Sequence, residues 1–493
     1  MKRKTVGLAA LVLTAALSLS ACGGSPNASA VVTVSGENGG AESSAVQAEA
    51  LDANVSANTF EDAFSKRDLS GTWDTSSAVP MKLNGASISC NSGSVTVSGA
   101  VATITAAGTY LVTGTLGNGS LIVDAGKEDK VQIVLDNASI HSDTFAAIYV
   151  KQADKVFLTL ADGTENALSN GGTFDAIDEN NVDGVIFSKD DLTLNGNGKL
   201  VVNSPAKHGV VSKDDLAITG GTYEITTGGH ALSAKDGIGI ADGAFSIRAG
   251  KDGIHAKNDE DSAKGVIYLA GGTITITAED DGVSASGVLQ MDGGSLDVTA
   301  REGLEGNYIR VNDGTIRIQA SDDGINAARK SGASTPTVEI NGGDISVTVG
   351  QGDTDCIDAN GNLIITGGTV SVTGNSGFDI DGTVTFTGGT VIVNGQQVDT
   401  IPNQMRMGGR GGKGGFGAAT EKKRRFESGQ SGGFPDGNSA ENNTGNANNP
   451  NGNQEGLVQR RGKSGKYRVK EKESETTENS SLTFPVPDNV AFA

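Results

Sequence analysis

The chain has 493 residues, of which 72 are glycine, and only 4% are aromatic. The glycines do not stand at every third position, which excludes a collagen triple helix. The formal net charge of -21 argues against a nucleic-acid partner and suits a protein that meets cations outside the cell.

The N-terminal 21 residues have the features of a secretory signal peptide. A basic start precedes an apolar run from Val6 to Leu19, and Leu19-Ser20-Ala21-Cys22 resembles a lipobox. We therefore expect Cys22 to carry lipid and to anchor the protein at the extracellular face of the cell membrane. The alternative is an ordinary signal peptide with an incidental cysteine. Residues 22–70 are rich in Ala, Ser, Asn and Glu and predict a flexible tether.

Residues 71–400 are dominated by a repeat with a period of about 20 to 29 residues. Runs such as Thr273-Ile274-Thr275-Ile276-Thr277 alternate apolar and polar side chains and are β-branched, which predicts strands. Three short runs per repeat, turns of Gly, Asn or Asp, and no helical period predict an all-β fold, a single-stranded parallel β-helix. Residues 401–493 are rich in Gly, Asn and basic residues, lack periodicity, and predict a disordered tail.

Acidic residues recur at equivalent positions of the repeat. Stacked coils lie about 4.8 Å apart, so equivalent residues form ladders, and like charges one coil apart repel each other. We therefore predict a calcium site, because Ca²⁺ takes about six to eight oxygen ligands and tolerates irregular geometry. The alternative is a solvated acidic edge that discourages aggregation. The predicted ligands in two adjacent ladders are Asp252, Asp281, Glu302, Asp323 and Asp355, and then Glu305, Asp358 and Asp379.

Basic residues also recur at equivalent positions of the repeat, in a row that includes Lys213, Lys235 and Lys257. One interpretation is that these lysines bind the carboxylates of an extended acidic polysaccharide. The other is a row of exposed ion pairs that contribute little. His208, His230 and His255 fall near each other in the same alignment; a zinc site is conceivable, but outward histidines on a hydrophilic edge are the simpler interpretation.

The sequence resembles a bacterial carbohydrate-binding domain family of secreted, right-handed parallel β-helix proteins. The resemblance lies in segments 188–196 and 252–261 and in the recurring Gly-Gly-Thr lines. The resemblance spans about residues 86–398. It implies a fold similar to pectate lyases, bound calcium, and binding of cellulose or polygalacturonate. It also implies calcium positions at acidic turn residues, which correspond here to Asp252, Asp281, Glu302, Asp323, Asp355 and Asp358.

The expected function is that of a lipid-anchored, monomeric, calcium-stabilised β-helix that binds an acidic extracellular polysaccharide. The few aromatic side chains argue against a platform for crystalline glucan, which is usually gripped by aromatic rings. One rival is a polysaccharide lyase that uses calcium and a lysine base, with Lys213, Lys235 and Lys257 as candidates. A second rival is a structural surface spacer or adhesin.

Overall fold

The computed structural model describes residues 60, 63–352 and 354–402. Within these residues every regular element is a strand, and 34 strands join one sheet, so the expected all-β class is confirmed. These residues include no helix that is long and apolar enough to cross a membrane. The predicted signal peptide, Cys22, most of the predicted tether and the predicted tail from residue 403 onward lie outside the described residues.

The strands stack in three ladders, and nearly all neighbours within a ladder are parallel. The first ladder carries the acidic phrases and contains β4 (Val101–Ile104), β6 (Ser120–Asp124), β8 (Ile148–Gln152), β11 (Gly184–Ser188), β14 (His208–Ser212), β16 (Leu232–Ala234), β18 (Ile254–Ala256), β25 (Ile325–Ala327), β28 (Asp355–Ala359) and β31 (Ser376–Ile380). The second contains β9 (Lys155–Leu160), β12 (Asp191–Gly196), β19 (Val266–Leu269), β26 (Thr337–Ile340), β29 (Asn362–Ile365) and β32 (Val384–Phe386). The third contains β10 (Glu165–Asn170), β13 (Lys199–Ser204), β20 (Thr273–Ala278), β22 (Ser295–Ala300), β24 (Thr315–Ala320), β27 (Asp344–Val349), β30 (Thr369–Thr373) and β33 (Thr390–Val393).

Six longer strands pass from one ladder into the next. β21 (Asp281–Met291) and β23 (Glu302–Val311) join the first and second ladders. The second and third ladders share β5 (Gly108–Leu116), β7 (Lys130–Ser142), β15 (Asp215–Thr227) and β17 (Gly237–Ala249). Antiparallel pairs occur at the two ends, where β1 (Val79–Gly85) pairs with β2 (Ile88–Cys90), β3 (Val95–Ser98) with β4, and β33 with β34 (Gln396–Val398).

The third ladder shows why these residues form strands. In β20 the isoleucines Ile274 and Ile276 are buried inside the coil, whereas the threonines on either side face solvent. The same alternation recurs in β22, β24 and β27, so one side of each strand contributes to a continuous apolar core. Between the second and third ladders Gly294 has φ of +83°, and a Cβ there would lie 2.6 Å from the carbonyl oxygen of Gly272. The second glycine of the Gly-Gly phrase is therefore required by the turn.

Residues 60 and 63–72, here called the strap, pack across the outside of the second ladder. Asp68 is fully buried, and its carboxylate lies 2.6 Å from Lys155 Nζ and accepts a hydrogen bond from the Thr193 hydroxyl. The Phe60 ring stacks on Tyr268 with ring centroids 4.5 Å apart. The last residues of the predicted tether are thus part of the folded domain, because their apolar and charged side chains find buried partners on the coils.

Candidate functional site

The Asp-Gly-aliphatic phrase places an acceptor side chain at each corner that leads into the first ladder. A Cβ on Gly282 would lie 2.3 Å from Val298 Cγ1, and a Cβ on Gly324 would lie 2.1 Å from Val347 Cγ1. Only glycine allows the corner backbone to approach the core so closely. The residue before the glycine therefore lies where each corner meets the protein surface.

Alignment of the repeats predicts one outward-facing residue on each strand, three positions after the corner acid. The strand register confirms this alignment. Each member pairs in parallel with the next along the first ladder, in the order Ser233, His255, Ser284, Glu305, Asn326, Asp358 and Asp379. Asp281 likewise pairs with Glu302. Carboxylates on successive coils therefore lie one coil apart.

Three of the five corner acids are buried, so these three do not form the solvated edge that we considered as the alternative to calcium. Asp252, Asp281 and Glu302 are 3%, 5% and 6% exposed. Two of the corner acids accept a backbone N–H from the following coil: the N–H of Asp281 donates to Asp252 Oδ1 at 3.2 Å, and the N–H of Asp355 donates to Asp323 Oδ1 at 2.8 Å. These acceptors satisfy backbone groups that the corner leaves without a ladder partner.

Arg301 lies at the centre of the first group of acids, which we call the arginine cluster. Its guanidinium donates to Asp280 Oδ1 at 2.7 Å, Asp281 Oδ1 at 2.8 Å and Asp322 Oδ2 at 3.1 Å, and it also contacts Glu302. Glu305, another predicted calcium ligand, forms an ion pair with Lys330. The protein's own arginine and lysine side chains thus offset much of the repulsion between carboxylates that we expected calcium to relieve.

Within this cluster Asp281 and Glu305 compete for one negative charge. Burial, with Glu305 close by, raises the pKa of Asp281. Burial would also raise the pKa of Glu305, but hydrogen bonds from Lys330 and Asp281 lower it. Opposite shifts of this kind are expected of two buried carboxylates that share one charge.

Three acids further along the ladder form a different group, the aspartate cluster of Asp323, Asp355 and Asp358. None of these three lies within 4 Å of a lysine or arginine nitrogen in the part of the chain that the structure describes. Burial raises the pKa of Asp323 to about 6. Burial, with Asp323 and Asp379 as the nearest charges, raises the pKa of Asp358 to about 7. These shifts show carboxylates that lack a counterion.

The donor atoms of the arginine cluster fit a hard divalent cation. Oxygen atoms of Asp281, Glu302 and Glu305 lie within 4.8 Å of one another, the spacing that a shared ion requires. The neighbouring Asn326 donates through Nδ2 to Glu302, whereas its buried Oδ1 accepts no hydrogen bond from the described residues. An orphaned amide oxygen beside three carboxylates is the arrangement that Ca²⁺ satisfies.

The three predicted glycan-binding lysines lie together. Lys213, Lys235 and Lys257 line a shallow groove of about 230 Å³. Lys235 and Lys257 pair with exposed carboxylates, at 2.7 Å from Glu260 and 3.4 Å from Asp259, whereas Lys213 lies over the Phe187 ring. Pairs this exposed are weak and exchange readily for another anion.

A second, larger groove adjoins the first. It has a volume of about 480 Å³ and shares His255, Lys257 and Asp259 with the lysine groove. Its other walls include the corner acids and the cations of the arginine cluster, and it is lined among others by Asp252, Asp281, Arg301, Glu305 and Lys330. The lysines and the acid ladder therefore belong to one continuous surface.

The histidines form a stack along the same corner. The ring centroids of His208 and His230 are 4.9 Å apart, and those of His230 and His255 are 4.2 Å apart. Burial, with His230 and Lys251 nearby, lowers the pKa of His208 to about 3. Asp252 lies within 3.3 Å of His230 and 2.5 Å of His255, and despite its burial these hydrogen bonds hold its pKa well below the usual range.

A family model described as carbohydrate-binding domain-containing protein matches residues 98–307 and 301–401, more than half of the chain. The chain belongs to this carbohydrate-binding domain family. A relative of the same description from Acetivibrio thermocellus is 40% identical over 124 residues, which are 25% of this chain and 43% of the relative. The match thus spans less than half the length of that relative.

A solved structure is also similar to the chain. It is a polysaccharide lyase-like protein from C. thermocellum, determined as a gadolinium derivative. The two share 32% sequence identity with a TM-score of 0.45, and the similarity covers 49% of this chain and 96% of the other.

Three features of this carbohydrate-binding domain were missed from the sequence. Arg301 and Lys330 stand in turns outside the repeated phrases, so alignment of the repeats gave no reason to place them among the acids. The strap was assigned to the tether because it has no strand period. The pair Phe60 and Phe64, in a stretch otherwise poor in large apolar residues, was the available signal.

Proposed function

We propose that this protein is a lipid-anchored, monomeric surface protein whose right-handed parallel β-helix binds an acidic polysaccharide of the polygalacturonate kind with the help of calcium. Membership of the carbohydrate-binding domain family supports the class of ligand. The observation that carries the proposal is the continuity of the lysine groove with the acid-lined groove, through His255, Lys257 and Asp259.

The lysine groove supplies the first half of the recognition. Uronate carboxylates repeat along such a polymer, and a row of ammonium groups on successive coils can bind them with charge-assisted hydrogen bonds. Lys235 and Lys257 form ion pairs with Glu260 and Asp259. The side chains of these two acids are 78% and 77% exposed, so they can move aside when a uronate carboxylate binds.

The acid ladder supplies the second half. Without a cation, carboxylates at Asp323, Asp355 and Asp358 repel an anionic polymer. These three residues, together with Glu302, Glu305 and the Asn326 amide oxygen, are the groups that would hold calcium. Bound calcium would supply the positive charge to which a uronate carboxylate binds.

Gel retardation of the full chain tests this proposal, with polygalacturonate or a neutral β-glucan cast in the gel and with either calcium or chelator present. We expect retardation by polygalacturonate in calcium only. Joint replacement of Lys213 and Lys235 by Ala should abolish most of it. A matched control is Lys199→Ala, because Lys199 pairs with Glu165 and Glu224 in the third ladder.

Retardation by neutral glucan that ignores chelator would place the ligand on another face. No retardation by any polysaccharide would favour the spacer or adhesin. The anchor is tested separately: Cys22→Ala should release the protein into the medium, and its retention in the membrane fraction would contradict lipidation.

A polysaccharide lyase remains the second candidate, because Lys257 lies in the stretch common to both grooves and so adjoins the carboxylates. In that reaction a neutral lysine would remove the proton from the ring carbon that bears the uronate carboxylate. The bond from the adjacent ring carbon to the glycosidic oxygen would then break, and a carbon–carbon double bond would form. Ultraviolet absorbance of the unsaturated product, followed in calcium with polygalacturonate, distinguishes this enzyme from a binding protein.

A further inference from the structure

Three side chains from two successive coils converge at one end of the larger groove. His230 Nδ1 lies 3.3 Å from Asp252 Oδ2, and His255 Nδ1 lies 2.5 Å from the same oxygen. The side chains of His230, Asp252 and His255 are 15%, 5% and 22% exposed, and all three line the groove. Two imidazole nitrogens and one carboxylate oxygen thus surround a point that opens to solvent.

A backbone hydrogen bond fixes the orientation of His230. The N–H of Asp252 donates to His230 Nδ1 at 3.3 Å, so the hydrogen of the neutral ring is on Nε2. Asp252 Oδ2 also lies 3.3 Å from this nitrogen. A cation bound here would take the single lone pair of Nδ1 in exchange for the long backbone hydrogen bond.

The stack with His208 holds this arrangement in place. The N–H of His230 donates to His208 Nδ1 at 2.9 Å, and the two rings are parallel within 7°. On the other side His255 stacks on His230 with an interplanar angle of 15°. The stack holds the two candidate nitrogens side by side, and one ring has to turn out of it so that both in-plane lone pairs face a single ion.

We propose that His230 Nδ1, His255 Nδ1 and Asp252 Oδ2 bind a divalent transition metal such as Zn²⁺, at a site distinct from the oxygen-only calcium site. Imidazole nitrogen suits Zn²⁺, Cu²⁺ and Ni²⁺, whereas carboxylate and carbonyl oxygens suit Ca²⁺. Tetrahedral zinc with ligands at about 2.0–2.1 Å requires ligand atoms roughly 3.3 Å apart. The His230–Asp252 separation already has this value.

The shorter contact between His255 and Asp252 has a simple origin. A hydrogen bond from the protonated Nδ1 of His255 closes this pair to 2.5 Å. The metal takes the place of that proton, and the neutral His255 ring then carries its hydrogen on Nε2. The groove leaves room for water as a fourth ligand.

Isothermal titration of Zn²⁺ into the full chain, with calcium present in saturating excess, tests the site. We expect one zinc per chain, and a weakening of about tenfold or more in both His230→Gln and His255→Gln. His141→Gln is the matched control, because His141 also pairs with an aspartate, Asp143 at 3.1 Å, and has no second histidine beside it in the described chain. It should bind zinc as the unchanged protein does.

Co²⁺ in place of zinc gives a readout that does not depend on variants. Strong visible absorption is expected from a four-coordinate site with nitrogen ligands. The proposal is overturned if excess calcium removes the zinc heat, if both glutamine variants bind zinc normally, or if the unchanged protein binds none. In the last case Asp252 is simply a buried carboxylate that the two histidines satisfy.

Discussion

The arginine cluster and the aspartate cluster stand on the same ladder, yet basic side chains of the described residues pair only with the first. Arg301 contacts four acids of the first cluster, and Lys330 contacts Glu305. Asp323, Asp355 and Asp358 of the second cluster lie in the same kind of corner but have no lysine or arginine partner among the described residues. A repeat that places acids one coil apart therefore does not determine how they are neutralised.

This difference assigns separate roles to the two clusters. The arginine cluster holds its acids together without added ions, so its contribution to stability is built into the chain. Burial, with the neighbouring carboxylates, raises the pKa values of Asp323 and Asp358, so the ionisation of these two side chains at neutral pH opposes folding. Calcium dependence should consequently reside in the second cluster.

The largest effect is expected where a carboxylate has one dedicated, buried cation. Asp68 and Lys155 have side chains 0% and 6% exposed, so Asp68→Ala leaves the ammonium group buried without its anion. We expect a loss of about 3–5 kcal/mol in the free energy of unfolding, measured by denaturant titration. Lys66→Ala, at an exposed position of the strap, is the control and should leave the midpoint unchanged. A small effect at Asp68 would show that the strap is dispensable.

A smaller loss is expected from Arg301→Gln, because Arg301 is partly exposed and its acids can be neutralised by another ion. In chelator the free energy of unfolding should fall on the order of 2 kcal/mol, and added calcium should restore much of it. Arg317→Gln removes an exposed arginine from the third ladder and serves as the control. Equal losses in calcium and chelator would mean that the arginine cluster cannot accept an ion.

The smallest effect is a change in pH dependence. The raised pKa values of Asp323, about 6, and Asp358, about 7, mean that the folded state binds these protons more tightly than the unfolded state. Their protonation stabilises the folded state at low pH, and this contribution is lost as the pH rises from the ordinary aspartate pKa, about 4, to the raised values of about 6 and 7. In chelator, Asp358→Asn should flatten this part of the thermal midpoint profile. Asp297→Asn, on the exposed face of β22, should not change it.

The repeat made much of this architecture predictable. The Asp-Gly-aliphatic phrase fixed the register from Ser233 to Asp379, because the glycine leaves only one way to place each corner. Alignment of Asp183-Gly184-Val185 with His208-Gly209-Val210 places His208 opposite Asp183, whereas in the structure His208 pairs with Gly184, one residue along. The segment before β11 does not follow the repeat, which explains the shift.

Burial and counterions could not be read from the repeat. Strand alternation predicts that the Glu305 side chain points outward. It does not show that Lys330, in a turn 25 residues later, forms an ion pair with it. The repeat also does not show that two of the corner acids, Asp252 and Asp323, accept a backbone N–H group of the next coil. Such contacts depend on the paths of turns that differ between repeats.

Calcium titration of the full chain by isothermal calorimetry tests the central claim most directly. The account predicts that calcium binds to the unchanged protein and that Asp358→Asn weakens this binding and, with it, the retardation by polygalacturonate. Asp297→Asn should match the unchanged protein in both measurements. Undiminished calcium binding by Asp358→Asn, or retardation by polygalacturonate in chelator, would contradict it.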